Sequence, residues 1–129
     1  MGLTRTLLNL SNPVHPERAG IDVPALADTG ALHLCIPEHI AMQLGVAELR
    51  RREVTLADGS KRLVSYVGPV QLRFGTRTGF TGAMVMGDEV LLGAIPMEDM
   101  DLVVGPRTRQ VDVNPESPNI AMSTSVGMR

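Results

Sequence analysis

Short aliphatic runs, broken repeatedly by glycine, proline or an Asp-Gly pair, set the strongest limit on what this chain can become. The 13 glycines and 9 prolines are spread along 129 residues and separate the runs instead of clustering. Such punctuation favours many short strands over a few long helices. Leu3 to Leu10 is extended in character and stops at the turn signal Ser11-Asn12-Pro13. Ile21 to Ala27 reads as a second strand that runs into Asp28-Thr29-Gly30. The spacing then predicts a helix: Pro37 suits its first turn, Glu38 lies near its positive end, Ile40, Ala41 and Leu44 share one face, and Gly45 stops it.

Val54 to Ala57 and Leu63 to Val67 flank Asp58-Gly59, which tolerates positive φ, so this segment reads as a hairpin. Val70 to Phe74 turns through Gly75 to Gly79 and pairs with Phe80 to Met86. Val90 to Gly93 is a buried run, Pro96 to Met100 a short helix, and Leu102 to Val104 with Val111 to Val113 are closing strands. The stretch from Asn114 is loop-like. Physics alone gives a small, mainly β barrel or sandwich in one domain.

Hydrophobic residues make up 43% of the chain but aromatics only 2% (Tyr66, Phe74, Phe80), so the core must be built from Val, Leu, Ile, Ala and Met. Met97 and Met100 read as core filler. A formal net charge of −2 recommends neither nucleic acid nor an anionic membrane as partner. The basic triplet Arg50-Arg51-Arg52, set between Glu48 and Glu53, reads as a solvated loop. The single cysteine, Cys35, sits between Leu34 and Ile36; it reads as a buried thiol and suits a reducing compartment. His15, His33 and His39 lack the compact spacing of metal motifs, so no metal and no cofactor is expected. The absence of an export signal or a membrane-length apolar run makes a cytoplasmic location the expectation.

The segment Ala25-Leu26-Ala27-Asp28-Thr29-Gly30-Ala31 resembles the active-site turn of retroviral-type aspartic proteases, and the order of parts around it does too. A hairpin follows where those enzymes carry a flap, then Leu91-Leu92-Gly93, then a helical turn. Asp28 to Gly45, Leu56 to Ser60 and Leu91 to Val104 look most like the bacterial and archaeal retropepsin-like proteins of clan AA. The resemblance spans roughly residues 2 to 115. It implies an all-β, barrel-like retropepsin subunit over residues 1–115, with a tail over 116–129 that contributes to a dimer interface.

By the same resemblance Asp28, Thr29 and Gly30 are the catalytic turn, Ala31, Ala57, Asp58, Gly59 and Ser60 contact substrate or form the flap, and Leu91, Leu92 and Gly93 support the catalytic loop. Peptide hydrolysis on this pattern needs two carboxyls, and the chain has only one Asp-Thr-Gly or Asp-Ser-Gly sequence. A homodimer acting on a polypeptide substrate is therefore implied, with two Asp28 carboxyls sharing one proton. The chain departs from the viral pattern at Leu32 and Ala94, where those enzymes pair an acid with an arginine, and at Ala27, which is smaller than usual. An inactive relative, a dimerisation or peptide-binding module on the same fold, is the alternative.

Overall fold

The computed structural model describes residues 4–105 and 108–122. In chain order the elements are β1 (Thr4–Ser11), β2 (Ile21–Ala27), β3 (Leu34–Ile36), α1 (Glu38–Leu44), β4 (Ala47–Thr55), β5 (Lys61–Phe74), β6 (Arg77–Val85), β7 (Val90–Leu92), α2 (Ala94–Asp99), β8 (Leu102–Val104) and β9 (Val111–Val113).

Six strands close on themselves. β1 pairs antiparallel with β2, β2 parallel with β7, β7 antiparallel with β3, β3 parallel with β6, and β6 antiparallel with β5. β5 then returns to β1 through Asn9↔Arg73, Leu10↔Leu72 and Ser11↔Gln71. The barrel ring has no open edge, which removes the strand-pairing liability of an open sheet. β4 lies outside the ring and pairs only with the first part of β5. β8 and β9 form a separate two-stranded sheet.

Period-two alternation builds two apolar clusters on opposite faces of the same strands. Leu8, Leu10, Leu34, Ile36, Val70, Leu72 and Leu92 fill the barrel with at most 1% of their surface exposed. Burying one such side chain contributes roughly 1.5–3 kcal/mol. Met97 and Met100 join this core, as their sequence setting suggested. Cys35 and Leu91 belong instead to a second, smaller cluster with Val64 and Met84, against which Val54, Tyr66 and Met86 pack. Through Val54, Val64 and Tyr66 the β4–β5 hairpin thereby packs with β3, β6 and β7.

Several boundaries differ from expectation. Pro37 is the N-cap of α1, not its first turn, while Gly45 closes the helix at φ 68°, donating its N–H to the Ala41 and Met42 carbonyls. Leu63 to Val67 and Val70 to Phe74 form one strand, β5, with a register irregularity between Val67 and Val70. β6 begins at Arg77, so Gly79 lies inside it, where a Cβ would meet Asp99 and Met100 at 2.9 Å. Arg50, Arg51 and Arg52 are not in a loop: they lie on β4, because cross-strand pairing with Tyr66, Ser65 and Val64 extends that strand back to Ala47.

The segment after β9 is fastened back onto Asp101 and Arg77. Asp101, itself at φ 54°, accepts from Asn114 Nδ2 (3.1 Å), from the Met122 N–H (2.9 Å) and from the Ser117 hydroxyl. Buried Arg77 donates to the Met100 carbonyl at 2.9 Å and to the Ser117 carbonyl. The hydrogen bonds to Asp101 hold its carboxyl below the usual carboxylate range. β1 also pairs within its own chain, and the remainder of the proposed interface tail, 123–129, lies outside the described residues.

Candidate active site

β2 delivers Asp28 to the surface. Its register beside β7, Ala27↔Leu92, lets the Asp28 N–H donate to the Leu92 carbonyl at 3.0 Å as the strand ends. The chain then folds over its own carboxylate: Gly30 N–H donates to Asp28 Oδ1 at 2.9 Å, and Ala31 N–H to the Asp28 carbonyl at 3.1 Å. Asp28, Thr29 and Gly30 are all exposed. Among the described residues Asp28 Oδ2 receives no hydrogen bond, so one oxygen is oriented and the other is without a partner. Thr29 makes no side-chain hydrogen bond among them.

The loop after Asp28 is tied to the start of α2. Ala94 N–H donates to the Ala31 carbonyl at 2.8 Å and Ile95 N–H to the Leu32 carbonyl at 2.9 Å. Gly93 permits this approach, because a Cβ there would stand 2.4 Å from the His33 carbonyl oxygen and 2.6 Å from the Leu32 carbonyl carbon. Gly30 is less constrained: a Cβ would meet only Asp28 Oδ1, at 3.1 Å. Leu32 is 61% exposed and Ile95 43%, so these aliphatic residues beside the Asp28 loop are left uncovered among the described residues.

The β4–β5 hairpin ends in a turn at Ala57-Asp58-Gly59-Ser60. Leu56 N–H donates to the Ser60 carbonyl (2.8 Å), Gly59 N–H to the Leu56 carbonyl (2.9 Å), and Gly59 adopts φ 87°. Asp58 Oδ1 accepts both the Ser60 hydroxyl (2.5 Å) and the Ser60 N–H (2.9 Å). These bonds hold the Asp58 carboxyl below the usual range. The turn is exposed throughout.

Four residues near the loop carry chemistry that sequence reasoning did not assign to the site. The His33 ring meets Tyr66 edge-on, with centroids 6.4 Å apart, while the Arg50 and Arg52 guanidinium carbons lie 5.2 and 5.4 Å from the Tyr66 ring centre. Partial burial, then the charges of Arg52 and Arg50, push the His33 imidazole below its ordinary value. The period-two spacing of Arg50 and Arg52 was the available signal, once β4 is taken as a strand. Cys35 is buried, and burial pushes its thiol up, away from the reactive thiolate. It lines an apolar pocket of about 180 Å³ with Met86, Leu91 and the segment Gly87, Asp88 and Glu89.

A six-stranded closed barrel with two short helices, opening its β2 end into this aspartate loop, has the fold of the retroviral proteases. A solved example that it matches is the solution structure of the simian foamy virus (mac) protease, at a TM-score of 0.50 and 14% identity, covering 71% of this chain and 91% of that one. At that identity the likeness establishes the fold. No family model matches the chain, and no curated protein matches it. No helix among the described residues is long and apolar enough to cross a membrane.

Proposed function

We propose that two copies of this chain assemble into an aspartic endopeptidase whose catalytic pair is Asp28 from each subunit. The observation that carries this reading is the exposed Asp28, its carboxylate held by the Gly30 N–H and its backbone N–H by the Leu92 carbonyl, on a barrel of retroviral-protease fold. A two-fold axis through this loop brings like carboxyls to roughly 3 Å, where they share one proton. The ionised member takes a proton from a bound water as that water attacks the scissile carbonyl carbon. Its protonated partner donates to the carbonyl oxygen, and collapse of the tetrahedral adduct with proton transfer to the amine releases the two peptides. Exposed Leu32 and Ile95 supply apolar surface for the subunit contact in place of an ion pair.

In this reading Thr29 reaches main-chain groups of the second subunit, and Leu91, Leu92 and Gly93 keep the loop from shifting. The hairpin tip at Ala57 to Ser60, together with Ala31, borders the substrate. The decisive measurement is cleavage of an unfolded protein at mildly acidic pH by wild type and by Asp28→Asn, alongside sedimentation of both. A dimer that cuts only with Asp28 intact is the expected result. Equal rates would remove Asp28 from the chemistry, and a strict monomer would remove the dyad.

A further inference from the structure

The arginines of β4 fall on two faces with different company. Directly opposed residues of an antiparallel pair share a face, so Arg51 lies with Ser65, and Glu53 with Leu63. On that side the charges are matched: Glu48 approaches Arg51 at 3.7 Å and Glu53 approaches Lys61 at 3.7 Å. Arg50 and Arg52 lie on the other side, opposite Tyr66 and Val64. Val64 packs with Cys35 and Leu91, so this is the side that rests on β3 and β7. Among the described residues neither Arg50 nor Arg52 comes within ion-pair distance of a carboxylate. Two cations are therefore held on one aromatic ring without an anion.

Their position relates directly to Asp28. His33, at the edge of Tyr66, ends the loop that Asp28 begins, and its backbone lies against Gly93, next to the Leu92 carbonyl that accepts from Asp28. Tyr66 and His33 thus connect the two guanidinium groups to the loop that carries Asp28. We propose that Arg50 and Arg52, stacked on Tyr66, receive an aspartate or glutamate side chain of the polypeptide substrate beside the scissile bond; this rests on the peptidase reading of Asp28. The planar, weakly hydrated guanidinium suits a carboxylate, which it meets through paired N–H donors. Stacking on Tyr66 limits the side-chain entropy lost on binding.

Binding to the Asp28→Asn protein separates this proposal from the catalytic one, since that protein need not cut. Fluorescence anisotropy would compare two labelled unstructured peptides that differ only in Glu against Gln at a single position, scanned along the sequence. At one or two positions the Glu peptide is expected to bind roughly five- to tenfold tighter at low salt. Arg50→Gln/Arg52→Gln should abolish that preference and Arg50→Lys/Arg52→Lys should keep part of it. The His33 imidazole, followed by NMR, should titrate at higher pH in the Gln double variant, which also reports that the fold survives. Equal affinities for both peptides, a preference that survives the Gln double variant, or an unmoved His33 would overturn the proposal. Tighter binding of an oligothymidylate, lost in the same variant, would overturn it in favour of a nucleic-acid surface. Whether wild type cleaves these peptides bears on Asp28 alone.

Discussion

Asp28 and Asp58 open turns with the same local device, a carboxylate oxygen accepting the N–H two residues on at 2.9 Å, yet the two turns are anchored in opposite ways. The Asp28 turn is backed by the barrel: Leu92, Ala94 and Ile95 all bond to it through backbone groups, and Gly93 lets them approach. The Asp58 turn closes only on itself, between Leu56 and Ser60, at the end of a hairpin whose first strand, β4, pairs with β5 alone. Their carboxylates differ too. Ser60 adds a hydroxyl to Asp58 Oδ1, whereas Gly30 brings Asp28 nothing but its N–H. The same side-chain device thus yields a carboxylate backed by the barrel in one place and a self-satisfied one at a hairpin tip in the other. The proposed catalytic pair calls for the first, and the proposed cover over substrate for the second.

The sharpest way to break this contrast is to neutralise each carboxylate in turn. Asp28→Asn should lower the rate of peptide cleavage by about a thousandfold or more while leaving thermal unfolding nearly unchanged. Asp58→Asn should retain most activity. Comparable losses in a protease assay would show that the two turns are not functionally distinct.

Glycine replacements test the backing. Gly93→Ala places a methyl against the His33 and Leu32 backbone and should destabilise the protein by about 3 kcal/mol in urea unfolding. Gly59→Ala meets nothing within 4 Å and is strained only by its φ of 87°, so about 1 kcal/mol is expected. A reversed order would mean that the Asp28 loop yields more readily than the hairpin tip.

Native-state hydrogen exchange should then show the Asp28, Ala94 and Ile95 amides protected to nearly the level of the barrel strands, and Gly59 and Leu56 exchanging through local opening. Similar protection in both turns would contradict the anchoring described here.

Acid gives the smallest and most local effect. The Asp58 and Asp101 carboxyls are held below their unfolded values by hydrogen bonds, so the ionised form favours the folded state. Their contribution is present above the ordinary aspartate range and is lost as pH falls through the lowered values. NMR titration should find Asp58 moving up in Ser60→Ala. In acid, protection of the Ser117 and Met122 amides should fall before that of the barrel, because Asp101 fastens that segment. Loosening of the barrel first would place the acid-sensitive contacts elsewhere.

Local sequence determined much of this molecule. Alternating aliphatic runs marked β1, β2, β6 and β7 within a residue or a few, and Gly45 and the Asp58-Gly59 pair declared their positive-φ turns, because side-chain periodicity and glycine's conformational freedom act within a few neighbouring residues. Asp28-Thr29-Gly30 stood out through its resemblance to the active-site turn of retroviral-type proteases, and its hydrogen bond across two residues is equally local. Only the tertiary structure decided the rest. The β1–β5 pairing that closes the ring, the passage of Gly93 against His33, and the meeting of Arg50, Arg52, Tyr66 and His33 all depend on register between segments distant along the chain. A strand's pattern says which residues share a face; it does not say which strand lies opposite, or at what offset. That is why Arg50 to Arg52 read as a solvated loop by composition, yet set two of their charges over Tyr66, whose ring meets His33 at the end of the Asp28 loop, once folded.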